Sequence, residues 1–139
     1  MRKTLPILYI EDDAIDAMTM KRAFGELKIK NELIHKLNGE EALKYLIENG
    51  HKKPCAILLD LNMPKMDGIT FLKRVKMDEE LKAIPVIVLT TSREERDIVE
   101  SFKLSAAGYV IKPIDYRKFV DAIRTLDLYW TLCELPDGK

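Results

Sequence analysis

Cysteine is nearly missing from this chain of 139 residues: Cys55 and Cys133 are the only two, with no CxxC spacing and no His-rich companion segment around His35 or His51. That scarcity argues against a disulfide framework or a zinc site and suits a protein kept reduced in the cytoplasm. Excess charge of either sign is missing too. Twenty-three Lys and Arg balance 23 Asp and Glu, so no global positive field exists to gather nucleic acid or an anionic membrane. Apolar runs long enough to cross a bilayer are also lacking. Arg2 and Lys3 precede an apolar run in the manner of a signal peptide, but the run stops at Glu11, Asp12 and Asp13 with no small-residue cleavage site. No repeat, low-complexity segment or internal linker divides the chain, which predicts one domain over 1–139. A domain of this length buries roughly 68–70% of its unfolded surface, leaving no room for a separate effector module.

What the chain does contain is a regular alternation of apolar period. Leu5 to Ile10 is a strand-like run, followed by Met20, Ala23, Phe24 and Leu27 at helical spacing. Glu32 to Lys36 alternates as an edge strand would, with Leu33 and His35 on one side and Ile34 on the other. Ala42, Leu43, Leu46 and Ile47 form a second helical stripe after Gly39, stopped by Asn49-Gly50. Ala56 to Leu59 is short and wholly apolar, the mark of a strand covered on both faces. Turn chemistry from Met63 to Gly68 leads into a helix over Ile69 to Met77 with Phe71, Leu72 and Val75 inward. Val86 to Leu89 is another buried strand, and Ser92 with Glu95 forms a capping box for a helix from Arg93 to Lys103. Tyr109 to Ile111 is the last strand. A final helix then aligns Phe119, Ile123, Leu126 and Trp130. Five strands alternating with five helices predict an α/β fold with a parallel sheet.

Polar groups stand where these runs end: Glu11, Asp12 and Asp13 after the first, Asp60 after Ala56 to Leu59, and Lys112 after Tyr109 to Ile111. The carboxyl ends of parallel strands share one edge, so carboxylates would gather there around one ammonium, a place for a divalent cation and a phosphate-like group. Taken singly, Glu11, Asp12 or Asp13 reads as a helix cap or first-turn charge. Asp60 resists that reading, because a carboxylate ending an apolar strand is costly unless a cation or donors meet it. Thr90 taken alone reads as a β-branched strand residue, and Lys112-Pro113 as a strand terminator. His35 and His51 lack ligand spacing and read as packing residues.

Ile-Glu-Asp-Asp at 10–13, Leu-Leu-Asp-Leu-Asn-Met-Pro-Lys-Met-Asp-Gly at 58–68, Val-Leu-Thr-Thr-Ser at 88–92 and Tyr-Val-Ile-Lys-Pro at 109–113 together resemble the receiver domain of two-component response regulators. The resemblance covers nearly the whole chain and implies a flavodoxin-like (βα)5 doubly wound parallel sheet of five strands in the order 2-1-3-4-5. It implies that Asp60 accepts a phosphoryl group from a histidine kinase. Magnesium or manganese would be held by Glu11, Asp12, Asp60 and the Asn62 carbonyl, with Glu11 acting through water. Lys112 would pair with the acceptor carboxylate and then a phosphoryl oxygen, and Thr90 would donate its hydroxyl to another. Tyr109 would be the switch aromatic, against a plain packing reading. The Lys112-Pro113 peptide would be cis. Asp13 lies at a variable position outside the metal's ligands. Thr91 departs from the smaller residue the family often has beside the pocket.

Two other functions remain in view. A phosphohydrolase of the haloacid dehalogenase type also uses an Asp after a strand, but Asn62 stands where its second Asp belongs. A flavodoxin-like binding module shares the architecture, yet the acidic edge would repel a flavin phosphate. The C-terminal end, the final helix with the extension 127–139, carries more apolar residues than one stripe can bury: Tyr116, Val120, Tyr129, Leu132, Cys133 and Leu135 remain after Phe119, Ile123, Leu126 and Trp130. Such a surplus predicts a homodimer through the last strand and helices, against the simpler reading that the tail covers its own domain. With Leu-Thr-Thr-Ser, the tail is similar to stand-alone regulators paired with bacterial phytochrome-type kinases.

Overall fold

The structure is a computed structural model, which describes residues 5–49, 53–63 and 65–132. Five strands, β1 (Ile7–Ile10), β2 (Leu33–Lys36), β3 (Ala56–Leu59), β4 (Val86–Thr90) and β5 (Gly108–Ile111), alternate with five helices. The helices are α1 (Ala14–Glu26), α2 (Gly39–Glu48), α3 (Gly68–Lys76), α4 (Glu95–Lys103) and α5 (Tyr116–Leu132). The strands form one parallel sheet in the order β2-β1-β3-β4-β5, the flavodoxin-like arrangement expected.

Burial along the sheet follows strand position. Every residue of β1, β3 and β4 is buried, because these strands have neighbours on both edges and helices on both faces. β2 and β5 are the sheet's edges and only half-buried. On one face, Ile7, Tyr9 and Leu58 pack with Met20, Ala23 and Phe24 of α1 and Phe119, Ile123 and Trp130 of α5. On the other, Leu8, Ile10, Ile57 and Leu59 pack with Ala42, Leu43 and Leu46 of α2 and Phe71, Leu72 and Val75 of α3.

Side-chain caps start four helices. Asp13 accepts from the amides of Ile15 and Asp16, Asn38 from that of Glu41, Asp67 from that of Thr70, and Asp115 from that of Lys118. At α4 the expected capping box does not form. The helix begins at Glu95, two residues later than expected, with Glu94 at the cap position making no side-chain bond to the helix's amides. Ser92 instead accepts from the Glu94 amide at 3.3 Å and donates its hydroxyl to Asp97 at 2.6 Å, which ties it one turn further along.

Three other expectations change. Ile47 is 71% exposed, so the inward stripe of α2 ends with Leu46 and the next turn faces out. Val120 is buried and Tyr116 packs at the core's margin, because α5 packs against both the sheet and the neighbouring α1 and so buries a wider stripe than its first face. Asn49 caps α2, whereas Gly50, His51, Cys133 and Leu135 lie outside the described residues.

Candidate functional site

Register brings the site together. Ile10 is level with Leu59 across β1 and β3, so Glu11 and Asp60 leave the sheet side by side. Thr90 is level with Ile111, which places Lys112 one step beyond the end of β4. At this edge one oxygen from each of Glu11, Asp12 and Asp60 lies within 4.8 Å of the others. Glu11 and Asp60 are buried and Asp12 is exposed, so the group opens to solvent on one side. An open cleft of about 720 Å³ lies over it, with Asp13, Asp16, Asn62, Thr91 and Lys112 also in its walls.

Gly68 holds the loop after β3 in place. Its amide donates to the Leu61 carbonyl at 3.1 Å, and a Cβ there would lie 2.6 Å from Leu61 Cα and 2.7 Å from the Asp60 carbonyl oxygen. Only glycine lets the start of α3 approach the segment that carries Asp60 and Asn62. The Asn62 amide sits 3.5 Å from Asp60 Oδ1.

Lys112 reaches the cleft differently from the expectation. Its ammonium lies 2.8 Å from Glu11 Oε1 and 2.9 Å from Asp16 Oδ2, so it pairs with these carboxylates rather than with Asp60. Glu11 is only 1% exposed and has the greatest need of a counter-charge, while Asp16 projects from the first turn of α1 beside it. The Lys112-Pro113 peptide is trans, as are all the described peptide bonds, so no cis bond aims the lysine.

The surroundings of Glu11 show how charge is balanced. Its Oε2 accepts from the Asp13 amide at 3.2 Å, its Oε1 lies 3.4 Å from the Tyr9 hydroxyl, and its carbonyl is 2.6 Å from His35 Nε2, which must therefore carry the proton. Burial pushes the Glu11 carboxyl up to about 7; the Lys112 hydrogen bond opposes the rise and the Asp60 charge adds to it. Burial alone would lower the Lys112 ammonium, but its bonds to Glu11 and Asp16 outweigh that and raise it. The edge is thus short of positive charge even with its lysine in place. An all-oxygen set with that shortage suits a hard divalent cation, which Glu11, Asp12 and Asp60 could hold.

Thr90, at the end of β4, is fully buried and does not line the cleft, where its neighbour Thr91 stands; its Oγ1 accepts from the Ser92 amide at 3.4 Å. Tyr109 is half-buried and donates its hydroxyl to the Ser92 carbonyl at 3.1 Å. Asp13 serves as the α1 cap. Asp16, Tyr9 and Ser92 are the site's unforeseen members. A signal for Asp16 existed: it stands four residues before Met20 and extends the inward stripe of α1 by one turn, to the sheet's edge.

This chain belongs to the response regulator receiver domain family, whose model matches residues 7–124. It is 34% identical over 128 residues to response regulator Rcp1 of Synechocystis sp., a match covering 89% of this chain and 87% of Rcp1. It is 35% identical over 127 residues to the probable methanogenesis regulatory protein FilR2 of Methanothrix harundinacea, covering 89% and 82% of the two chains. Among solved structures, the phosphorylated cyanobacterial phytochrome response regulator RcpA superposes with a TM-score of 0.87 at 33% identity, over 95% of this chain and 98% of RcpA. The Mn2+-bound form of Rcp1 superposes with a TM-score of 0.83 at 33% identity, over 94% and 97%. The protein is a phosphoryl-accepting signalling switch of the two-component type, and neither a dehalogenase-type phosphohydrolase nor a flavodoxin-like carrier.

Proposed function

We propose that Asp60 is the phosphoryl acceptor and that a histidine kinase is the donor. The observation that carries this reading is a carboxylate only 6% exposed, ending a wholly buried strand, with two further carboxylates within 4.8 Å. In the transfer an Asp60 oxygen forms a bond to phosphorus as the donor's P–N bond breaks, and the imidazole leaves with that electron pair and takes a proton. Glu11, Asp12 and Asp60, with the Asn62 carbonyl, would hold a divalent cation such as magnesium or manganese, which would neutralise the crowded carboxylates and the anionic donor. Lys112 donates to one phosphoryl oxygen and the Thr90 hydroxyl to another. Moving Thr90 weakens its hold on the Ser92 amide, and Tyr109, bonded to the Ser92 carbonyl, registers the change as the switch aromatic. Attack of water on the aspartyl phosphate then releases inorganic phosphate and restores the carboxylate.

Incubation with acetyl phosphate followed by peptide mapping tests the acceptor: one hydroxylamine-sensitive phosphoryl group is expected on the peptide containing Asp60, and a label elsewhere refutes the reading. Labelling should stop in excess chelator and return with magnesium or manganese. Loss of outer partners of a bound metal typically costs roughly tenfold to a hundredfold in affinity, so Asp12→Ala should raise the half-saturating magnesium concentration by at least about tenfold. An unchanged magnesium dependence would remove Asp12 from the ligand set.

The similarity to RcpA, a phytochrome response regulator, supports a phytochrome-type kinase as the partner, and the scarcity of cysteine suits the cytoplasm as the setting. Among the described residues no helix is long and apolar enough to cross a membrane. For output we propose one receiver domain whose extension, 127–139, joins two copies into a homodimer. Support comes from the outer face of α5, where Leu128 is 58% and Leu132 75% exposed, one turn apart. Trp130 packs against Phe24 with ring centroids 6.1 Å apart, so truncation after Leu128 would damage the core, and point changes are the cleaner test. Sedimentation at micromolar concentration should show a dimer that Leu132→Glu converts to a folded monomer. A wild-type chain that sediments as a monomer, with and without phosphorylation, ends the dimer proposal.

A further inference from the structure

We propose that Asp16 is a positioning residue that holds the Lys112 ammonium on the α1 side of the cleft, and so limits how readily that lysine reaches a phosphoryl group on Asp60. The proposal rests on the reading of Asp60 as acceptor. An ammonium has three N–H donors, and Lys112 aims its nitrogen at Glu11 Oε1, 2.8 Å away, and Asp16 Oδ2, 2.9 Å away. The two carboxylates differ in setting. Glu11 is 1% exposed and stands among the acids that could hold a cation, whereas the Asp16 side chain is 37% exposed and stands outside that group. Asp16 is therefore in reach of Lys112 without being in reach of the metal cluster. Its carboxylate fixes the ammonium between the end of β1 and the first turn of α1, and movement of the nitrogen toward Asp60 lengthens this bond. Because Asp16 is partly hydrated, its bond is the one that water can replace as the lysine leaves. It therefore acts as a releasable tether, and its negative charge also opposes an anionic donor entering the cleft.

The test compares wild type with Asp16→Asn, Asp16→Glu and Asp13→Asn at saturating magnesium, with acetyl phosphate as donor. In this reaction an Asp60 oxygen bonds to phosphorus while the bond from phosphorus to the bridging oxygen breaks, and acetate departs with the electron pair. Removing a partly exposed ion pair of this kind should raise the phosphorylation rate constant by roughly two- to fivefold. Asp16→Glu keeps the pair and should stay at the wild-type rate. Asp13→Asn removes an equal charge from the same wall while retaining a good α1 cap, and should also stay at the wild-type rate. As a readout independent of turnover, the affinity for beryllium fluoride, a phosphoryl mimic, followed by NMR, should tighten in Asp16→Asn by a similar factor. The proposal is overturned if Asp16→Asn phosphorylates at or below the wild-type rate, or if Asp13→Asn accelerates equally, which would show charge alone at work. Failure of the underlying reading is seen separately: an Asp60→Asn variant that still takes up label removes the acceptor, whereas an unlabelled Asp60→Asn beside an unaltered Asp16→Asn removes only the tether.

Discussion

Asp60→Asn should abolish the hydroxylamine-sensitive label from acetyl phosphate or a phosphorylated kinase, a loss of at least about a hundredfold, because an amide oxygen is a far poorer nucleophile toward phosphorus than a carboxylate. The same change should leave the fold intact. Asn has nearly the shape of Asp, and among the described residues Asp60 makes no ion pair that the substitution would break, since Lys112 is held by Glu11 and Asp16. It also removes one of the causes that push the Glu11 carboxyl up. In metal-free buffer the urea midpoint should therefore equal or exceed that of the wild type. Function lost with stability retained is the signature of a group kept for chemistry, and a variant that labels fully would end the assignment.

Gly68→Ala should have the opposite profile. A Cβ at 2.6 Å from Leu61 Cα and 2.7 Å from the Asp60 carbonyl oxygen meets backbone, which cannot swing aside as a flexible side chain can. Overpacking of this kind costs about 1–3 kcal/mol, and it displaces the segment that carries Asp60. A misplacement of about 1 Å at reacting groups can cost on the order of a hundredfold in rate, so phosphorylation should fall with stability. Gly25→Ala is the control: nothing lies within 4 Å of its new Cβ near the end of α1, and the better helix propensity should stabilise by about 0.5–1 kcal/mol. Urea unfolding of the pair reads both signs. Equal midpoints for Gly68→Ala and wild type would show that the loop yields without cost.

Much of the fold was legible because parallel strands buried on both faces leave a plain trace. Ala56 to Leu59 has no polar residue, and all four side chains are buried. The inward stripes of α1 and α3 were readable from helical period, and Phe71, Leu72 and Val75 all face the core. Where periodicity failed, a neighbour decided the outcome. Ile47 belongs to the apolar run of α2 but points outward, while Val120 is covered because α5 packs against both the sheet and α1. Ser92 and Glu95 have capping-box spacing, yet the Ser92 hydroxyl turns to Asp97.

For the site, the division falls between which groups meet and how they are paired. That Glu11, Asp12, Asp13, Asp60 and Lys112 share one edge follows from sequence alone, since each stands where an apolar run ends and the ends of parallel strands coincide. Which carboxylate holds Lys112 is a matter of a few ångströms, set by the docking of α1 and by the relative burial of Glu11, Asp16 and Asp60. Local spacing carries no information at that range, because residues 16 and 112 are brought within 2.9 Å only by packing across the whole sheet. Chain order therefore determined the chemistry available at this edge, and tertiary structure decided its ion pairs, because Coulomb energy depends on distance and desolvation, and only the folded packing defines either.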